Sequence, residues 1–151
     1  MSGRPHLWMV GVALIVVMIY GTDWAISTAR LDEIILKTTL DPPNVAADGK
    51  SSIVLTVQVT EHGQPRANDL LQSWLDTGSG LLIPEWVYTD ENGMAQITYT
   101  PNPLTKYDLQ DKSEIHVRVI SIGRLIEVGK DIVVEVPLTP AEEQEQKKIF
   151  D

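Results

Sequence analysis

"LWMVGVALIVVMIY", residues 7–20, limits what this chain can become more than any other stretch. It runs 14 residues without a charge, so only burial in protein or entry into lipid takes it out of water. As a helix the run covers roughly 21 Å against a hydrocarbon core of about 30 Å, so a span has to recruit residues up to Ile26 and accept one charge, Asp23. Trp8 at one end, with Tyr20 and Trp24 at the other, sets amphipathic rings at both interfaces, and these three are the predicted contacts with a lipid bilayer. A cleaved signal peptide is the rival, because Ser27 and Ala29 are small residues at the required spacing, but Asp23 and Trp24 are unusual in a cleavage region. A buried core helix is the third reading. The anchor and the signal peptide both send the rest of the chain across a membrane. With Arg4 on one side, and Arg30 and Lys37 on the other, charge gives orientation only weak support. Residues 1–30 are therefore expected to form a short cytoplasmic N-terminus and a single-pass anchor in the cell membrane, with the rest extracytoplasmic, in the periplasm or outside the cell.

The remainder of the 151 residues suits one domain, because about 100 residues can bury a sizeable core. Twelve Lys and Arg against 21 Asp and Glu leave a net charge of −9, a field that repels phosphate backbones, so nucleic acid is not an expected partner. The absence of cysteine removes disulfides, thiolate metal sites, thiol nucleophiles and thiol lipidation together.

From Glu33 onward, short segments alternate apolar and polar residues between clusters of Pro, Gly, Asn and Asp. "SSIVLTVQVT" points Ile53, Leu55, Val57 and Val59 to one face, "EIHVRVIS" points Ile115, Val117 and Val119, and "DIVVEV" points Ile132, Val134 and Val136. A first strand is predicted over 33–40, ended by the prolines of "DPP". "NDLLQSWLD" places Leu70 and Trp74 on one face, with Trp74 as a core residue of a third strand, while Pro84 makes "LLIPEWVYT" an edge, bulged or broken strand. The result is an all-β domain over 31–138, an immunoglobulin-like β-sandwich of about seven strands held by packing alone. "TDENG" at 89–93 reads as a four-residue hairpin loop with Gly93 at positive φ, since its adjacent acidic groups do not have the spacing of a calcium loop.

"AADGKSSIVLTVQVTEHGQP" at 46–65 and "YTDENGMAQITYTP" at 88–101 resemble the group 1 bacterial immunoglobulin-like domain, the repeat of invasin and intimin adhesin stalks. The resemblance covers about residues 34–137 and rests on Ala47, Asp48 and Gly49, on Gly63 and Pro65, and on Thr89, Asp90, Gly93 and Ala95. It implies the sandwich fold and a binding or structural role without enzymatic activity. The chain differs from the stalks in having a single domain behind a single apolar helix. It also carries Arg66 where the family commonly has an apolar residue.

His6, His62 and His116 lack metal-site spacing, and no cofactor, metal or small-molecule substrate is expected. "DTGSG" at 76–80 carries the aspartic-protease triplet without the second one that a shared-proton dyad needs, so it reads as a Gly-rich loop. Two places are predicted to meet a partner. A long loop over 102–113 carries Tyr107, and a charged tail over 139–151, with Thr139 as N-cap of a short helix and Pro140 at its first position, carries Ile149 and Phe150. The expected role is a surface interaction module, or an accessory subunit of a membrane complex, whose partners are other subunits or a surface ligand. The alternative is a filament or pilus subunit assembled through the N-terminal helix, although 1–8 carries no pilin-type processing pattern.

Overall fold

The computed structural model describes residues 5–104, 110–123 and 125–140. The apolar run lies inside one continuous helix, α1 (Pro5–Ala29), whose interior backbone groups pair within the helix. Thr22 folds its hydroxyl back onto Met18 O and Ile19 O. A single 3₁₀ turn, Arg30–Asp32, closes with the Glu33 N–H donating to Arg30 O, and strand β1 begins at Ile34. No flexible linker separates helix from sandwich.

Ten strand segments follow among the described residues: β1 (Ile34–Asp41), β2 (Val45–Ala47), β3 (Ile53–Glu61), β4 (Gln64–Pro65), β5 (Leu70–Thr77), β6 (Gly80–Ile83), β7 (Trp86–Tyr88), β8 (Met94–Pro101), β9 (Lys112–Val119) and β10 (Lys130–Pro140). Seven of them have four or more residues, which is the expected set, while β2, β4 and β7 are short additions. They make two sheets of an immunoglobulin-like sandwich. Sheet 1 has the order β1-β3-β8-β6 with β4 beside β3, and sheet 2 has the order β2-β10-β9-β5-β7. The alternation read from the sequence fills the space between them: Ile53, Leu55, Val57 and Val59 of β3, Ile115, Val117 and Val119 of β9 and Val136 of β10 are fully buried, with Val134 close to it and Ile132 partly buried against the core. The predicted break at Pro84 is realised, with β6 and β7 on either side of it forming the free edges of different sheets.

Four expectations are corrected. Trp74 is not in the core: Leu71 and Ser73 point inward opposite Val119 and Val117, which puts Leu70, Gln72 and Trp74 on the outer face of sheet 2. The core aromatic is Tyr99 of β8, fully buried, whose hydroxyl donates to Ser79 O at 3.0 Å and shares a 2.7 Å hydrogen bond with Ser113 Oγ of β9. That bond links the two sheets of a domain without cysteine. Residues 90–93 form the expected turn, with Asp90 Oδ1 accepting the N–H groups of Asn92 and Met94 and Gly93 at φ 70, but β7 and β8 lie in different sheets, so the turn is a crossing and not a hairpin. A Cβ at Gly93 would stand 2.9 Å from Arg66 N, so position 93 requires glycine for space as well as for φ. Finally, Pro140 is the last residue of β10 and not the first of a helix: Thr139 and Pro140 pair in parallel with Ala46 and Ala47 of β2, and Thr139 Oγ1 donates to Val45 O, while the rest of the predicted tail lies outside the described residues. The predicted loop is also shorter than expected, because Lys112 and Ser113 start β9.

Candidate interaction surface

Side chains at even positions of β5, β7 and β9, and at odd positions of β10, share the outer face of sheet 2. Trp86, Gln72 and Arg118 lie side by side across β7, β5 and β9, with Asp131 of β10 opposite Arg118; Trp74, His116 and Val133 form the next row, and Tyr88 faces Leu70. The Trp74 and His116 rings stack with centroids 4.2 Å apart and planes 21° from parallel, and the Arg118 guanidinium carbon stands 5.7 Å from the Trp74 ring centre. Asp131 holds Arg118 with two hydrogen bonds of 2.6 and 3.0 Å, an arrangement that raises the Arg118 pKa and lowers that of Asp131. Trp86 and Tyr88 are half or more exposed, and Leu81 and Ile83 of edge strand β6 are similarly bare. The side of the sandwich where edge strands β6 and β7 lie thus presents large apolar groups, with a fixed guanidinium two strands in from β7, a composition enriched where proteins meet.

The junction with α1 is built differently. Glu61, at the end of β3, accepts Arg30 Nε at 2.7 Å and Arg30 Nη2 at 2.9 Å, and also takes Arg66 Nη1 at 2.6 Å. Arg66 in turn pairs with the buried Asp69, which accepts the Ser121 hydroxyl at 2.9 Å. With Arg30 and Arg66 beside it, Glu61 is held at a pKa of about 2. The charge that departs from the family pattern at position 66 is thereby used to lock the turn after β4 to the base of the helix. On the other side, Asp23 Oδ2 of α1 accepts the backbone N–H groups of Leu125 and Ile126, and Lys130 Nζ donates to Leu31 O. Among the described residues, Glu33, Glu61 and His62 form one cluster of metal-type side chains, but Glu61 is committed to two arginines and Glu33 sits 3.3 Å from His62 Nε2.

Of the predicted contact residues, Trp8, Tyr20 and Trp24 are exposed on α1 at 66, 46 and 56 %. α1 contributes a stretch long and apolar enough to cross a membrane, with none of it buried against the sandwich. Tyr107, Ile149 and Phe150 lie outside the described residues. Sequence reasoning missed the Trp74, Trp86, Tyr88, His116 and Arg118 surface. The available signal was the alternation of Trp86 and Tyr88 about Val87 in a strand already assigned to an edge.

This fold defines the class: an all-β, immunoglobulin-like sandwich behind one apolar helix. No family model and no curated protein matches the sequence. Among solved structures, the C-terminal 282-residue fragment of intimin in complex with the intimin-binding domain of the translocated intimin receptor matches with a TM-score of 0.51 at 25% identity, over 70% of this chain and 32% of that one. The D0–D1 domain of intimin gives 0.46 at 25% over 68% and 46%, and the D00–D0 domain gives 0.46 at 18% over 64% and 45%. The chain spans about a third of the length of the first of these and under half of the other two. The sandwich is thus similar in fold to an immunoglobulin-like domain of intimin.

Proposed function

We propose that the chain is a single-pass membrane protein whose extracytoplasmic sandwich binds a protein partner, as an accessory subunit of a membrane complex or as a surface interaction module. The observation that carries this reading is the place of the aromatic face. Tyr88 and Leu70 lie beside Ile120, whose N–H donates to Leu70 O, so the face occupies the half of sheet 2 nearer to α1. A partner held in the same membrane reaches that half of the domain more readily than a ligand arriving at the far end. The intimin fragment engages a receptor domain, and a protein partner for this module is the corresponding expectation. Lipid around Trp8, Tyr20 and Trp24 is the second partner.

The test is intact mass and membrane fractionation of the native protein, followed by crosslinking and pull-down from the membrane fraction. A full-length mass in the membrane with one reproducible co-purifying complex supports the reading. A mass beginning at Arg30 in a soluble or secreted fraction replaces the anchor with a signal peptide and moves the search to soluble ligands of the sandwich.

A further inference from the structure

We propose that the segment carrying Leu125 and Ile126 is a second membrane contact, seated in the lipid interface from which α1 emerges. The inference rests on the anchored reading of α1 and adds depth and orientation to it. A span of about 20 residues that begins at Leu7 ends at Ile26, and from Trp8 to Asp23 the helix rises only roughly 22 Å of the about 30 Å of hydrocarbon. Asp23 therefore lies no further out than the membrane boundary. Its carboxylate accepts Leu125 N–H at 2.9 Å and Ile126 N–H at 3.2 Å, so those residues lie at the same depth. The same two bonds give a carboxylate near lipid the donors it needs there.

The segment is also fixed from the sandwich side. Ile122 and Val128 are buried on either side of it, and Ser27, one turn after Asp23, is buried at 3% exposure. Leu125, by contrast, is 54% exposed, and Ile126 beside it is half-buried. An apolar side chain held at the height of Asp23 beside a spanning helix has the headgroup and acyl boundary as its neighbour. Together with the Arg30–Glu61 and Lys130–Leu31 contacts, this seat holds the sandwich at one tilt against the bilayer, with the aromatic face of sheet 2 close to the membrane.

Because the chain has no cysteine, single labels can be placed in the full-length protein. Leu125→Cys, Val16→Cys in α1 and Leu81→Cys at the opposite end of the sandwich are each labelled with a polarity-sensitive fluorophore. The proteins are then reconstituted in phosphatidylcholine and phosphatidylglycerol vesicles containing lipids spin-labelled near the headgroup or deep in the chain. The expected result is a blue-shifted Leu125 label, quenched by the shallow spin label severalfold more than the Leu81 label, with the Val16 label quenched most by the deep one. Asp23→Ala should release the segment and reduce quenching at 125 while leaving it unchanged at 16. Quenching at 16 with a Leu125 label as unquenched as the Leu81 label overturns the second contact alone. No quenching at 16 overturns the anchor itself.

Discussion

The two outer faces of the sandwich differ, although their inner faces are alike. Sheet 1 turns Lys37, Thr39, Thr56, Gln58, Thr60, Gln96 and Thr98 outward, with Ile35 and Met94 as scattered exposed apolar groups and Leu81 and Ile83 on its edge strand β6. Sheet 2 turns Trp74, Trp86, Tyr88, His116 and Arg118 outward. Solvation of an antiparallel sheet asks for the composition of sheet 1, and nothing in the fold asks for that of sheet 2. Contiguous exposed aromatic area beyond what folding needs marks a surface with a partner. The extra free energy of sheet 2 is available for binding because the core does not use it.

The strongest test of that difference is Trp86→Ala together with Tyr88→Ala, set against Thr56→Ala together with Thr98→Ala on sheet 1. At about 2 kcal/mol for each buried aromatic anchor, each change on sheet 2 lowers partner affinity roughly 30-fold, and the pair abolishes capture in a quantitative pull-down from membranes. The sheet 1 pair leaves capture unchanged. Equal loss from both pairs would remove the distinction between the faces.

Why the sequence concealed this surface follows from β5. In "LLQSWL" both phases carry apolar residues, Leu70 and Trp74 in one and Leu71 and Leu75 in the other, so periodicity alone cannot choose the buried face. The choice is made by β9, whose strict alternation buries Val117 and Val119 opposite Ser73 and Leu71. Strands β3, β9 and β10 were legible because one of their phases is apolar throughout its core stretch and the other is mostly polar, Val54 and Val133 apart. Local turn chemistry was equally legible at Asp90 and Gly93, but which strands the turn joins depends on pairing with distant segments, and there the hairpin expectation failed. Thr139 and Pro140 show the same limit. Their local sequence does not reveal the parallel partner, about 90 residues earlier in the chain, that holds both in β10. At the helix junction, Arg66 was visible as a departure from the family pattern, but its pairing with Glu61 and Asp69 was not.

The next largest effect concerns polar groups that serve the fold. Glu61→Gln leaves Arg30 and Arg66 without their shared carboxylate and should cost about 2 kcal/mol in denaturant unfolding of the reconstituted protein. The pH dependence has a definite sign. Glu61 has a folded pKa of about 2, below its ordinary 4.5, so its stabilisation is fully present above pH 4.5 and is lost as pH falls toward 2. The variant should show a shallower loss of stability across that interval. An unchanged acid limb would mean that the junction is held by packing and not by charge.

Tyr99→Phe probes the bond between the sheets and should cost about 1 kcal/mol, because it leaves the fully buried Ser113 hydroxyl and Ser79 O without the phenol. Thermal unfolding measures it. Partner capture should be unaffected, since Tyr99 faces neither outer surface.

The smallest stability effect is expected at Asp131, where the two faces can be compared through a single ion pair. Its carboxylate is 38% exposed and the Arg118 side chain 41%, so solvent screens their attraction, and Asp131→Asn should change unfolding free energy by no more than about 0.5 kcal/mol, in contrast to Glu61→Gln. Binding should respond more than stability. Asp131 fixes the guanidinium 5.7 Å from the Trp74 ring centre, and without that carboxylate Arg118 is released from one orientation and its charge is no longer neutralised locally. Capture by a partner that uses the aromatic face should then change in strength and gain salt dependence, measured by repeating the pull-down over a range of ionic strength. If stability drops as far as it does in Glu61→Gln while capture is untouched, the outer pair of sheet 2 is structural, and the contrast between the faces narrows to Trp86 and Tyr88.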